Sequence, residues 1–189
     1  MRITGRFAVV FLGMENKEKE PSGATKGSVR GPRMAQLMNY CARQERSLQQ
    51  VRAWMERRGV DPEKGRDWEQ QLTDQGYLNE WRFAALYARS KMRQKKWGLA
   101  KIRMGLIRQG ISTEHIEAAM DSMEVDEQQE TLHKLAETKW GRLNQYPIAE
   151  RRIRLMRFLH AKGYTVAQAR SEAYRLSTTE EFDQQAQPE

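Results

Sequence analysis

Three times along the chain an amphipathic run stops at a glycine, passes one apolar residue and restarts at a side chain able to cap a new helix. The joints are Gly59-Val60-Asp61, Gly110-Ile111-Ser112 and Gly163-Tyr164-Thr165, set 51 and then 53 residues apart. Upstream of each glycine, apolar residues recur eight and four positions earlier: Val51 and Met55, Ile102 and Leu106, Leu155 and Leu159. That spacing puts each pair on one helical face, most simply a buried stripe. A glycine just past a helix can turn left-handed and close off the last carbonyls, and Asp, Ser or Thr can accept from the amides that open the next helix. Such even spacing marks an internal repeat.

Filling in the periodic runs predicts nine helices in three sets of three, and no stretch alternates long enough for a sheet. In the first set Leu37, Met38, Cys41 and Ala42 line one face, Ser47 with Gln50 forms a capping box, and Pro62 follows Asp61 at a helix start. Asn79 opens the second set, whose last helix covers 113–123. Asp126 opens the third, and Thr165 with Gln168 caps its closing helix. Trp54, Trp68, Trp81 and Trp140 fall at helical spacing and are expected in cores or between repeats. The predicted class is all-α, a tandem array of three three-helix repeats, elongated and curved. The repeats are placed at residues 32–77, 78–124 and 125–176, between flexible segments at 1–31 and 177–189. Met14 offers an alternative start within the first of those segments.

Composition favours thin stacked units over one thick core. Of 189 residues, 39% are hydrophobic and 31% charged, and the mean hydropathy is −0.87. The one continuous apolar run, residues 7–12, is too short to span a bilayer or to serve as a signal peptide, so we expect a cytoplasmic protein with no membrane partner. A single cysteine, Cys41, allows no internal disulfide. Nothing suggests self-association, and a monomer is expected.

The net charge of +8 and pI of about 9.7 point to polyanions. The charge is also concentrated. Residues 81–113 hold no Asp or Glu, yet carry Arg82, Arg89, Lys91, Arg93, Lys95, Lys96, Lys101, Arg103 and Arg108. A face built only for solubility normally mixes both signs. A second, weaker cluster is Arg151, Arg152, Arg154 and Arg157. Helical geometry turns Lys101 and Arg108 away from Leu99 and Leu106, so both should face outward. Arg103 sits instead on the flank of the buried stripe, as Arg52 does in its own repeat, and both should tie neighbouring helices together through a carboxylate. Trp97, amid Lys95, Lys96 and Gly98, could stack on a base or close over its helix as a lid, and the lid is favoured.

Catalytic chemistry finds no footing. His115, His133 and His160 make no metal-binding pair, Cys41 has no cysteine partner, and no phosphate-binding loop is present. No enzyme activity, cofactor or metal is expected.

Gly76-Tyr77-Leu78-Asn79-Glu80-Trp81-Arg82-Phe83-Ala84, then Trp97-Gly98-Leu99-Ala100-Lys101-Ile102-Arg103 and Gln109-Gly110-Ile111, resemble the sequence elements of the RecX family. Arg157-Phe158-Leu159 and Gly163-Tyr164 extend the resemblance, which covers roughly residues 34–176. Leu99 replaces the family's usual proline and Asn79 an aspartate, and Gly105 stands where a glutamate is common, at a cost of about 1 kcal/mol to a helix interior. The resemblance implies an all-helical regulator that lodges in the groove of the RecA filament on single-stranded DNA. There it restrains filament growth or promotes disassembly, dampening ATP hydrolysis, strand exchange and the SOS response. The residues of the acid-free run expected in contact with the filament or with DNA phosphates are Arg82, Arg89, Lys91, Arg93, Lys95, Lys96, Trp97, Lys101 and Arg108. Read without the resemblance, the same residues suit a helical-repeat protein that binds single-stranded nucleic acid with no recombinase involved.

Overall fold

The structure, a computed structural model, describes residues 32–185, with side chains described over residues 33–180. The segment 1–31, with its alternative start at Met14, and residues 186–189 lie outside the described residues. Among the described residues there are nine helices and no strand. The first triplet is α1 (Pro32–Ala42), α2 (Leu48–Arg57) and α3 (Pro62–Asp74). The second is α4 (Glu80–Lys95), α5 (Leu99–Arg108) and α6 (Thr113–Asp121), and the third α7 (Val125–Gly141), α8 (Ile148–Lys162) and α9 (Val166–Gln185). No described helix is long and apolar enough to cross a membrane.

The caps form as the sequence predicts. Ser47 and Gln50 make the full capping box, and Asp61, Asn79, Ser112 and Thr165 each accept from backbone amides that open the following helix. Gly59, Gly110 and Gly163 take positive φ at 61°, 72° and 93°. The third triplet starts differently from expectation. Glu124, not Asp126, precedes its first helix, and no side chain caps it.

Each triplet closes over its own core. Val51 and Met55 pack with Leu37, Trp54 and Leu72, Ile102 and Leu106 with Phe83, Met92 and Ile116, and Leu155 and Leu159 with Leu132, Trp140 and Ala169. Leu78, expected to open the second repeat, belongs to the first core, because the Tyr77 and Leu78 amides both bond back to the Leu72 carbonyl at 2.8 and 3.1 Å. Trp81, expected in a core or between repeats, is 45% exposed on the outer face of α4. The flexible tail expected from Ser177 is also corrected, since α9 continues to Gln185. The Ser177 hydroxyl is buried and accepts from Arg152 Nε at 2.7 Å, and one turn later Glu180 accepts the Trp140 indole N–H at 2.8 Å. These bonds carry helical order past the last apolar residue of the pattern.

The triplets are joined end to end through their middle helices. At the N-terminus of α5, the Gly98 amide bonds to the Lys162 carbonyl at 2.9 Å and the Ala100 amide to the Gly163 carbonyl at 3.3 Å, both at the C-terminus of α8. At the N-terminus of α2, Ser47 Oγ and Gln50 Nε2 donate to Gln109 Oε1, at 3.2 and 3.0 Å, where α5 ends. Ser47 and Gly98 each lie twelve residues before their own glycine, and Gln109 and Lys162 each lie one residue before theirs. The two joints are therefore equivalent positions of the repeat. In sequence from α8 through α5 to α2, a column of helices runs in one direction. At the start of α5 the leftover backbone amides meet the last carbonyls of α8, at the start of α2 the capping side chains meet the Gln109 side-chain oxygen, and at both joints the end charges of the two helix dipoles attract.

The second joint needs glycine on both sides. A Cβ on Gly98 would collide with the Gly163 carbonyl and sit 2.7 Å from the Tyr164 amide, and one on Gly163 would sit 2.6 Å from the Lys101 amide. Around Gly110 a Cβ meets open space. Gly110→Ala should therefore cost only the left-handed backbone penalty, about 1–2 kcal/mol. Gly163→Ala should cost that plus at least about 1 kcal/mol of overpacking. Chemical denaturation of both variants checks the difference.

Candidate filament and nucleic-acid interface

The acid-free run occupies α4 and α5, and the packing of the triplets divides its cations into two kinds. The first kind holds joints. Arg82 reaches Glu45 of the first triplet at 2.8 Å and donates to the Gly76 carbonyl at 2.6 Å. Arg93, near the end of α4, pairs with Glu127 in the first turn of α7 at 2.6 Å. Lys101 was expected to face outward, but its ammonium donates to the Ala161 carbonyl of α8 at 2.8 Å, while Lys162 donates back to the Lys95 carbonyl at 3.2 Å. Lys101 lies in the first turn of α5, where the end of α8 abuts, so a position opposite the buried stripe still meets a neighbour. Leu99, expected inside, is 37% exposed.

Trp97 packs against the second core, with the Lys91 and Lys101 ammonium groups 5.5 and 5.2 Å from its ring centroid. This geometry matches a lid over the joint rather than an open stacking platform. Lys91 also lies 5.0 Å from the Tyr87 ring.

The second kind stays on the surface. Arg89, Lys95, Lys96 and Arg108 are exposed, and Arg108 makes one bond, to the Met104 carbonyl of its own helix at 3.2 Å. Their field is felt on α7. Glu127 is held below the usual carboxylate range by its hydrogen bond from Arg93, and the charges of Arg93, Arg89 and Lys96 add to the effect. Lys96 is the one non-glycine among the described residues with positive φ, 54°, at the left-handed cap that ends α4. A lysine held there carries backbone strain that a glycine would relieve.

Arg52 and Arg103 behave as expected, as ties within a triplet. Arg52 makes a two-pronged bond to Glu69 at 2.8 Å for each prong, and Arg103 makes one to Glu117. Glu117 is accordingly held below the usual carboxylate range, chiefly by that hydrogen bond.

The second basic cluster is largely structural. Arg151 is buried against the Trp140 ring, 4.1 Å from its centroid, and pairs with Glu180. Arg152 donates to Ser177, and Arg154 pairs with Glu150 one turn away, leaving Arg157 exposed. Cys41 is buried, which pushes its thiol up to about 11. Among the described residues no group of His, Cys, Asp and Glu could hold a metal ion.

The apolar part of the surface was missed in sequence. Leu86 on α4 and Met104 and Ile107 on α5 are each more than half exposed beside these cations. Their signal was present, since Met104 and Ile107 fall off the stripe set by Ile102 and Leu106. Gly105 also has a packing role, because the Tyr87 ring closes over it and leaves no room for a side chain.

Two family models match the chain: "RecX, second three-helix domain" over residues 79–120 and "RecX, third three-helix domain" over residues 126–171. Over these two triplets the chain matches the RecX family. The regulatory protein RecX of Clostridium tetani is 32% identical over 95 residues, spanning 49% of this chain and 43% of the relative. That of Halorhodospira halophila is 28% identical over 154 residues, spanning 80% and 90%. The chain spans about half the length of the first curated RecX relatives it matches. In fold it is similar to the crystal structure of RecX from Lactobacillus salivarius, with a TM-score of 0.69 at 20% identity over 77% of this chain and 94% of that one. A further RecX crystal structure aligns with a TM-score of 0.66 at 21% identity, over 71% and 66% of the two chains. The matched family models place the second and third RecX triplets on the helices that carry the basic run and the α8 cluster.

Two variants separate the roles of the cations. Arg151→Ala should destabilise the fold by about 2–3 kcal/mol, by taking a cation from the Glu180 carboxylate and a donor from the buried Trp140 backbone carbonyl, whereas Arg157→Ala should stay within about 0.5 kcal/mol of the parent. Urea unfolding measures both. Lys96→Gly should raise stability by about 1 kcal/mol while weakening polyanion binding, read by thermal melting and by oligonucleotide titration.

Proposed function

We propose that this RecX-type regulator acts without enzymatic activity, by lodging along the RecA filament on single-stranded DNA and restraining its growth and ATP turnover. The observation that carries the reading is the acid-free run of residues 81–113, whose Arg89, Lys95, Lys96 and Arg108 are exposed on a row of like modules. A repeated surface can touch successive protomers of a polymer, each contact modest and the sum strong. Binding across protomers biases the filament toward whichever state the row fits better, by as much as its affinities for the two states differ. Exposed Leu86, Met104 and Ile107 add apolar surface for a protein partner, which bare DNA phosphates do not require.

The contact residues expected from the charge run narrow accordingly. Arg89, Lys95, Lys96 and Arg108 are proposed to meet the filament, whereas Arg82, Lys91, Arg93, Trp97 and Lys101 are proposed to hold the surface in shape.

RecA ATPase on single-stranded DNA, titrated with this protein from substoichiometric amounts, tests the reading. Inhibition is expected, with a steep loss of potency as salt rises. Replacing Arg89, Lys95, Lys96 and Arg108 together by Glu should lower potency at least about tenfold and flatten the salt dependence, by about 0.7 in log K per log salt for each phosphate that is no longer neutralised. Unchanged inhibition by that variant, with a flat salt response, contradicts the assignment. Equal affinity for bare single-stranded DNA and for preassembled filaments at matched salt would favour direct nucleic-acid binding instead.

A further inference from the structure

The first triplet lies outside both matched family models and carries a constellation that the basic run does not explain. The guanidinium of Arg46 lies over the Tyr40 ring, 3.9 Å from its centroid, and that of Arg58 lies over the Trp54 ring at 4.0 Å. The two rings are themselves neighbours, 6.1 Å apart and tilted by 30°. Together with Arg43 they border a cleft of about 620 Å³ between α1 and the end of α2. That is within the ~300–1,000 Å³ of small-molecule sites.

Three positive charges converge on this cleft, and among the described residues no carboxylate lines it. The nearby Glu45 is already paired with Arg82 at 2.8 Å. Arginines placed only for solubility would extend into water, whereas two of these are laid flat on aromatic rings. A guanidinium held over a ring keeps an outer face, and although Arg46 Nε donates to the Tyr40 carbonyl at 3.4 Å, its terminal nitrogens and those of Arg58 supply further N–H groups. A flat cationic face stacks on a planar heterocycle, and paired guanidinium N–H groups donate to phosphate oxygens. The remaining lining, Gln36 and Asn39 on the facing side of α1, offers amide donors and acceptors suited to the edge of a base. The cleft is poor in apolar wall, which disfavours an acyl chain.

We infer that the cleft between α1 and α2 binds a nucleotide unit, its base against the stacked faces of Arg46 and Arg58 and its phosphate at the guanidinium edges with Arg43. The unit is either a free nucleotide or one residue of a single strand. The site rests on α1, α2, the connection between them and the residue after α2, and so stands independently of the role proposed for α4 and α5.

The test is equilibrium binding of dTMP, of an oligothymidylate and of inorganic phosphate to the full chain. The parent should bind a nucleotide-bearing probe more tightly than phosphate. Arg46→Ala with Arg58→Ala should weaken that binding at least about tenfold, within the cost of a lost base stack. Arg46→Lys with Arg58→Lys keeps the charge but loses the flat faces, and should also weaken it several-fold. Replacing the four exposed cations of α4 and α5 by Glu should leave the dTMP affinity at the parental value. Sensitivity of dTMP binding identifies a free nucleotide as a ligand, and sensitivity of the oligothymidylate alone identifies the strand. Photocrosslinking of a 4-thiothymidine oligonucleotide to the unaltered protein should label the peptide containing Tyr40, a readout that no folding defect can mimic. Parental affinity of both nucleotide probes in the alanine pair or in the lysine pair, phosphate bound as tightly as both dTMP and the oligothymidylate, or no label within residues 33–58 would each overturn the inference.

Discussion

The array depends on the end-to-end docking of α8, α5 and α2. A helix start exposes amides and a helix end exposes carbonyls, and leaving either buried without a partner is costly. Here one deficit answers the other, with Gly98 and Ala100 bonded to the Lys162 and Gly163 carbonyls. The contact is possible only because both helix ends lack a side chain at the crossing. Separate triplets with small cores gain a common direction from it, and the outer faces of α4 and α5 gain a fixed relation to α7 and α8.

That constraint also decides what the charges do. A basic protein of this composition could spend all its cations on a partner, but a stacked array needs some of them between modules. Arg82, Arg93 and Lys101 bridge neighbouring triplets, and Trp97 closes over the second joint between two lysines. Arg89, Lys95, Lys96 and Arg108 remain on the surface, beside apolar side chains that no core requires. The interface proposed for the filament is thus smaller than the charge pattern suggests, and its shape is set by the residues that do not touch the partner.

Much of this was legible before any coordinates. Glycine, apolar residue and cap at constant spacing can mean little else than repeated helix junctions, and the left-handed backbone at Gly59, Gly110 and Gly163 follows from it. The ties made by Arg52 and Arg103 were legible for the same reason, because repeat position fixes their neighbours within a triplet. Contacts between triplets were not legible. A helical wheel counts one buried face, so it turned Lys101 to solvent and gave no hint that the carbonyls of α8 lie there. It also placed Trp81 in a core or between repeats, although α4 buries Phe83, Ala84 and Ala88 and leaves Trp81 on its outer face. Ser177 and Glu180 were read as tail because their helical order rests on polar bonds to Arg152 and Trp140, which hydrophobic periodicity does not register.

The docked column is tested most directly by residue-resolved amide hydrogen exchange at the start of α5. First-turn amides of a helix normally exchange as fast as open chain, since nothing within the helix bonds them. The account predicts that Gly98 and Ala100 exchange slowly, at rates close to those of the core amides of α5. Rapid exchange at both, with the α5 core protected, would contradict it.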